Sequence, residues 1–303
     1  MRISNRWKKL GDAGFSANGS FLATFRQPDQ IDAKFAGWGP YDSTMRYFKF
    51  LFSEQIRKKD AAFFENYARL GETAVGNPTM LPGPSGEPIN KDHFFAVEEH
   101  AFLDRHLGFG DVGRVVEIGG GFGRTAQAIV KLAPSVERYT IVDLPGMLSL
   151  SSLYLKKVLT AAEFAKLRFV DAIAWDAAGG EPLPADLAVN IDSFQDMPSE
   201  AIRIYFERIV ERSQFFYSKN TVAKYRPETI GVRNADPLLV LDGCTTGWST
   251  DVIDIFDQRE LASASQKHVE QYRPAGSYEV LAAEPMGMFP YYLHVLYGRT
   301  VSS

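Results

Sequence analysis

The chain of 303 residues has a single cysteine, Cys244, so no internal disulfide can form and a disulfide-stapled scaffold is excluded. That scarcity leans towards a reducing compartment, and a cytoplasmic protein is expected. No apolar run reaches the roughly 18 residues that a membrane-spanning helix needs. The basic start, MRISNRWKKL, has no apolar segment behind it, so no secretory signal is read. A basic excess is missing as well: 33 Lys and Arg stand against 37 Asp and Glu, a net charge of −4. This argues against a nucleic-acid partner held by a broad basic surface. Repeats and low-complexity tracts are absent. Hydrophobic residues at 45% and charged residues at 23% are ordinary globular proportions, which excludes disorder, collagen and coiled coil.

What is present changes character near residue 108. Before it the text reads as helices with loops, and a helical region spanning 1–107 is expected to act as a lid, a homo-oligomer interface or both. STMRYFKFLFSEQIRKK (43–59) carries Met45, Phe48, Leu51 and Phe52 at helical spacing, and 60–72 and 92–107 look similar. GNPTMLPGPSGEPIN (76–90) is dense in Gly and Pro and reads as a loop. From 108 to 303, short β-branched runs alternate with helical patterns, the mark of βαβ units and a parallel sheet. Strands are expected at 114–118, 139–144, 167–172, 186–192 and 214–219, with a helix over 199–213 before the fifth. Residues 221–275 break the alternation and read as an insertion. Two last strands, 277–284 and 291–298, are joined closely enough for an antiparallel pair.

The strongest signal is VVEIGGGFGRTAQAI (115–129), where Gly119, Gly121 and Gly123, with Phe122 among them, occupy a strand-to-helix turn. Glycine permits the sharp turn and a close ligand approach, and the helix start offers free N–H groups to an anion. In open α/β sheets the ligand lies at the carboxyl ends of the strands, and this turn is such an end. A dinucleotide fingerprint can be forced here as Gly121, Gly123 and Ala126. The pattern acid-x-G-x-G-x-G fits Glu117, Gly119, Gly121 and Gly123 without forcing. A carboxylate at 117 would repel a pyrophosphate but favour a sulfonium and an amino group. Asp143 ends the second strand twenty residues after Gly123 and can take both ribose hydroxyls of an adenosyl group. Together these residues point to S-adenosyl-L-methionine as the cofactor.

EIGGGFG, the DLPGMLSLSSLYL segment and above all NIDSFQDM (190–197) resemble the sugar O-methyltransferase family of bacterial class I S-adenosylmethionine enzymes. The likeness covers roughly residues 75–300, with Asp196 standing where the family usually has Glu. The resemblance implies a Rossmann-like α/β fold with seven strands in the order 3-2-1-4-5-7-6, the last antiparallel, and the count of seven strands agrees. It implies that Glu117, Gly119, Gly121 and Gly123 line the methionine end, that Asp143 holds the ribose, and that Leu144 flanks the adenine. Asp171 would contact the adenine and Asn190 would border the methionine moiety.

Methyl transfer to a hydroxyl needs alignment and a group that removes a proton, typically a His or a carboxylate. Asp192 and Asp196, just past the fourth strand, are the first candidates, although either fits equally as a cap near the following helix. They could instead hold a divalent cation, but two carboxylates with no clear third ligand leave it few donors, so no metal is assigned. His100 and His268 are the histidines placed to reach an acceptor, and Trp248, Tyr272 and Arg273 could line a sugar site. The expected activity is O-methylation of a sugar or glycosylated small molecule. The alternatives are O- or N-methylation of a non-sugar natural product, and a dinucleotide-binding or non-catalytic nucleotide-binding module. A small-molecule acceptor is the expected partner, with neither nucleic acid nor membrane.

Overall fold

A computed structural model gives the fold and describes residues 19–26, 43–71, 74–78, 80–225 and 244–300. Of the insertion expected at 221–275, residues 226–243 lie outside the described residues, as do the side chains of Met45 and Phe48.

The leading helices are α1 (Gly19–Thr24), α2 (Ser43–Arg57), α3 (Ala61–Arg69) and α4 (Lys91–His106). Side-chain caps start two of them: Asp60 accepts from the Phe63 N–H at the head of α3, and Asn90 from the His93 N–H at the head of α4. The stretch 76–90 is not wholly loop. It contains a small antiparallel ribbon, β1 (Met80–Pro82) with β2 (Pro88–Asn90), closed by a Gly83 N–H to Glu87 carbonyl bond of 2.8 Å. Three-residue strands, each with a proline at one end, carry no period that a sequence pattern could register.

The alternating units follow as β3 (Arg114–Ile118), α5 (Arg124–Leu132), β4 (Arg138–Asp143), α6 (Pro145–Val158) and the short α7 (Ala161–Phe164). Next come β5 (Leu167–Asp171), α8 (Ala172–Ala177), β6 (Leu187–Ile191), α9 (Ser199–Arg208) and β7 (Phe215–Thr221). After the insertion, α10 (Gln258–Gln271) leads to β8 (Tyr278–Pro285) and β9 (Tyr292–Arg299). The helix expected over 199–213 stops at Arg208. Beyond it a 3-10 turn, Val210–Arg212, offers the Val210 carbonyl to the Tyr278 hydroxyl at 3.0 Å.

The sheet order is β5-β4-β3-β6-β7-β9-β8, and β9 alone runs against the rest. Counted within the sheet this is 3-2-1-4-5-7-6, the class I methyltransferase arrangement. The central strand β6, LAVNI, is buried along its whole length, as a parallel strand covered on both faces must be. Alternate residues divide between two buried clusters: Val116, Ile118 and Ala188 pack with Phe94 and Phe63, while Val115, Leu187 and Val189 pack with Ile129 and Tyr154. Register brings the carboxyl ends together, with Asp143 beside Asp171, Ile118 beside Asn190, and Ile191 beside Lys219. No helix among the described residues is long and apolar enough to cross a membrane.

Candidate active site

The glycine turn joins β3 to α5 and lies over the end of β4. Gly121, at φ +57°, has nothing within 4 Å of where a Cβ would stand, so its backbone faces open space. Its N–H donates to Asp143 Oδ2 at 2.9 Å, and the Leu144 N–H donates to Oδ1 at 2.7 Å. Burial lifts the Asp143 carboxyl to about 7, with those two backbone bonds working the other way. Gly119 is glycine for a different reason, because a Cβ there would strike the side chain of Ser193 in the loop after β6. The turn is therefore closed against the protein at Gly119 and open at Gly121.

The other residues expected around a cofactor fall into two groups. Leu144 and Asp171 stand at the strand ends on the Asp143 side, and Asp171 caps α8 by accepting from the Ile173 and Ala174 N–H groups at 2.9 and 3.1 Å. Glu117, Phe122 and Asn190 point into the protein. Glu117 is 2% exposed and accepts from the Tyr139 hydroxyl at 2.9 Å, and burial raises it to about 7. Phe122 packs edge-on against Tyr154 and Phe25, with the Arg26 guanidinium 5.1 Å above its ring. Asn190 is fully buried and ties the turn to the sheet. It donates to the Ile118 carbonyl and to Ser193, and accepts from Asn220. Gly123 heads α5 in the left-handed region at φ +97°, and no side chain caps that helix start.

On the β6–β7 side the structure gathers charges that sequence patterns do not connect. Arg124, the first residue of α5, grips Glu99 with both terminal nitrogens at 2.9 and 2.8 Å. Lys219, near the end of β7, adds a third bond to Glu99 at 2.7 Å. Burial acts to raise Glu99, but the charges and hydrogen bonds of Arg124 and Lys219 prevail and hold it below the usual carboxylate range. Asp192 lies at the solvent-facing end of this cluster. Its Oδ2 is 3.5 Å from Lys219 Nζ and 3.7 Å from Arg124 Nη2, and its backbone holds a left-handed φ of +56°. Non-glycine residues in that region are uncommon and cluster at functional sites. Lys219 Nζ also lies 5.8 Å from the ring centres of both Phe95 and Tyr292. Asp196 ends the 3-10 turn Phe194–Asp196 one step further along.

Neither expected histidine joins Asp192. His100 stacks at 5.0 Å on Phe109, which precedes β3 at the opposite end of the sheet, and burial depresses it to about 4. One helical residue is about 100° of rotation, so α4 cannot turn both Glu99 and His100 to the strand ends. His268 is fully buried under α10, with Nδ1 bonded to Ser249 at 2.9 Å, and burial depresses it to about 3. It continues the buried stripe of Leu261 and Ala264, a helical period visible in the sequence. Trp248 and Tyr272 pack on each other and on Phe206, and Arg273 pairs with Glu270 at the surface, so these three do not form a sugar platform. A shallow depression bounded by Asp251, Asp257 and Lys267 lies on the outside of α10, without any strand-end residue. Among the described residues no group of three or more His, Cys, Asp and Glu could hold a metal ion.

No family model matches the chain, and no curated protein sequence matches it. Solved structures do align with it. The pyocyanin biosynthetic protein PhzM is 15% identical with a TM-score of 0.41, over 68% of this chain and 58% of that one, so less than two thirds of its length is spanned. The mitomycin 7-O-methyltransferase MmcR is 14% identical with a TM-score of 0.43, over 86% and 70%. Human N-acetylserotonin methyltransferase, solved with S-adenosylmethionine, is 13% identical with a TM-score of 0.42, over 97% and 66%. At this level of likeness no residue role passes from them to this chain.

Proposed function

We propose that this protein is an S-adenosylmethionine-dependent O-methyltransferase whose acceptor is a hydroxyl of a sugar or glycosylated small molecule. The observation that carries the reading is Asp143: a desolvated carboxylate at a strand end, fixed by two backbone N–H groups beside the open backbone of Gly121. Each of its oxygens keeps acceptor capacity for a ribose hydroxyl, which fits an adenosyl group. The antiparallel β9 separates this sheet from the dinucleotide-binding order 3-2-1-4-5-6. Residues 108–303 are the methyltransferase domain in this reading, and the helical region 1–107 serves as a lid, a homo-oligomer interface or both.

The cofactor, when bound, supplies a methyl group already activated on a sulfonium. Asp143 holds the ribose, Leu144 flanks the adenine, and Asp171 offers its uncommitted oxygen to the adenine amino group. Glu117 acts through the turn above it, since Gly120 is packed on its carboxylate. Asp192, oriented by Lys219 and Arg124, takes the acceptor proton. Asp192→Asn keeps the left-handed backbone, which Asn tolerates, and should slow methyl transfer by about 10²–10⁴-fold with cofactor affinity unchanged. A second reading, O- or N-methylation of a non-sugar molecule, is favoured by the rings of Phe95 and Tyr292 beside Lys219, which suit a flat acceptor.

Calorimetric titration with S-adenosylhomocysteine, NAD and NADP tests the cofactor. Binding of S-adenosylhomocysteine alone is expected, and Asp143→Ala should weaken it about 100-fold by removing two charge-assisted hydrogen bonds. Binding of only the dinucleotides would remove the methyl-transfer reading.

A further inference from the structure

The cations at the strand ends outnumber the acids that pair with them. Arg26 bonds Asp92 at 2.7 Å, Lys59 pairs with Glu98 at 2.6 Å, and Arg124 shares Glu99 with Lys219. Among the described residues Lys91 has only Asp92 as an ion-pair partner, at 3.9 Å, beyond hydrogen-bonding distance and already engaged by Arg26. Its side chain keeps 23% exposure, and its ammonium lies 6.0 Å over the Phe95 ring that Lys219 approaches from 5.8 Å. Burial pushes the Lys91 ammonium down; Asp92 opposes this and the charges of Arg124 and Arg26 add to it. Lys91 and Lys219 share the Phe95 ring, and Lys219 lies 3.5 Å from Asp192, so Lys91 stands on the side of the proposed proton acceptor. One donor beside Asp92, Arg26 Nε, is buried with no acceptor among the described residues. Lys91 and Arg124 each begin a helix, so two positive helix ends converge here. A desolvated cation without a bonded counter-ion costs free energy, and a ligand anion removes that cost.

We propose that Lys91, backed by Arg124, binds a carboxylate or phosphate carried by the acceptor, so that acceptors are acidic sugars or other acid-bearing small molecules. This rests on the methyl-transfer reading, which supplies the acceptor. The same chemistry could come from the carboxylate of the cofactor's methionine moiety, and the test separates the two.

Glucuronate, inorganic phosphate and glucose are titrated by calorimetry at fixed ionic strength, with and without S-adenosylhomocysteine. The wild type should bind glucuronate and phosphate in competition, and glucose about tenfold more weakly or not at all. Lys91→Met should weaken both anions by about tenfold or more, Lys91→Arg should restore them, and both variants should keep their S-adenosylhomocysteine affinity within about twofold. That retained affinity also reports an intact fold. The proposal is overturned if neither anion binds, if glucose binds as well as glucuronate, or if Lys91→Met changes nothing. Loss of S-adenosylhomocysteine affinity in Lys91→Met would assign the anion to the cofactor and overturn the acceptor assignment. Wild-type protein that binds the anions but not S-adenosylhomocysteine would count against methyl transfer and leave the anion site standing.

Discussion

Two groups of carboxylates flank the end of β3, and their surroundings differ in sign. Asp143 and Glu117, on the β4 side, are held by backbone N–H groups and a tyrosine hydroxyl, and burial raises both to about 7. Glu99, buried beside Lys219 of β7, and Asp92, half-buried beside Arg26, are also desolvated, yet cations overcome this, and Asp92 falls to about 2. Desolvation is common to the two groups, and the partner decides the outcome. A side built from neutral donors suits a ligand that brings hydroxyls, and a side built from excess cations suits one that brings negative charge. The division follows from where the groups originate: Asp143 and Glu117 are delivered by the neighbouring strands β4 and β3, and Glu99 and Asp92 by α4, where Glu99 meets Arg124 and Lys219.

The contrast breaks most severely at Glu99. Glu99→Ala leaves Arg124 and Lys219 buried without their shared partner and should cost about 3–5 kcal/mol of stability, read by chemical denaturation. An unchanged midpoint would mean that water already serves these cations. Next in size is the pH response of Glu117, whose value rises from 4.5 to about 7 on folding. Folding favours its protonated form, so this contribution is complete below pH 4.5 and is lost as the pH rises through 7, a swing of about 3 kcal/mol. Glu117→Gln should flatten that decline between pH 4.5 and 8. Asp92 tilts stability the other way: its contribution is present above pH 3.8 and disappears as the pH falls through about 2. Tyr139→Phe is the mildest change. It should cost about 1 kcal/mol and move the Glu117 decline to higher pH, since the hydroxyl that steadies the carboxylate is gone.

The sheet was legible because each strand announces itself with β-branched residues between turn signals, and its ends fall within two residues of expectation. The Asp143 side was legible too, since a glycine turn and a spaced acid lie within thirty residues of one another. The charged side was not. Glu99, Arg124 and Lys219 come from α4, α5 and β7, and a single sequence carries no sign that three such segments meet. A hint existed in QFFYSK, where Lys219 falls inside an interior strand, a position that rarely holds a lysine without a partner. His268 belongs to the core rather than the acceptor site, because Leu261, Ala264 and His268 share one buried helical stripe, a spacing the sequence carries. The 80–90 ribbon was missed because Gly and Pro dominate its composition, and two three-residue strands cannot outweigh them.

The position of β9 also matters during synthesis. It is the last strand of the sheet to be made, yet it is wedged between β7 and β8. While the ribosome works through the intervening stretch of about 70 residues, at roughly 5–20 residues per second, β7 waits for several seconds with one side unpaired. A naked strand reading FFYSKNT invites pairing with a neighbouring nascent chain. Lys219 sits in that strand, and a charged residue on a waiting edge discourages such encounters. The lysine that later helps to hold Asp192 therefore also guards the half-built sheet until Tyr292–Arg299 emerges to cover it.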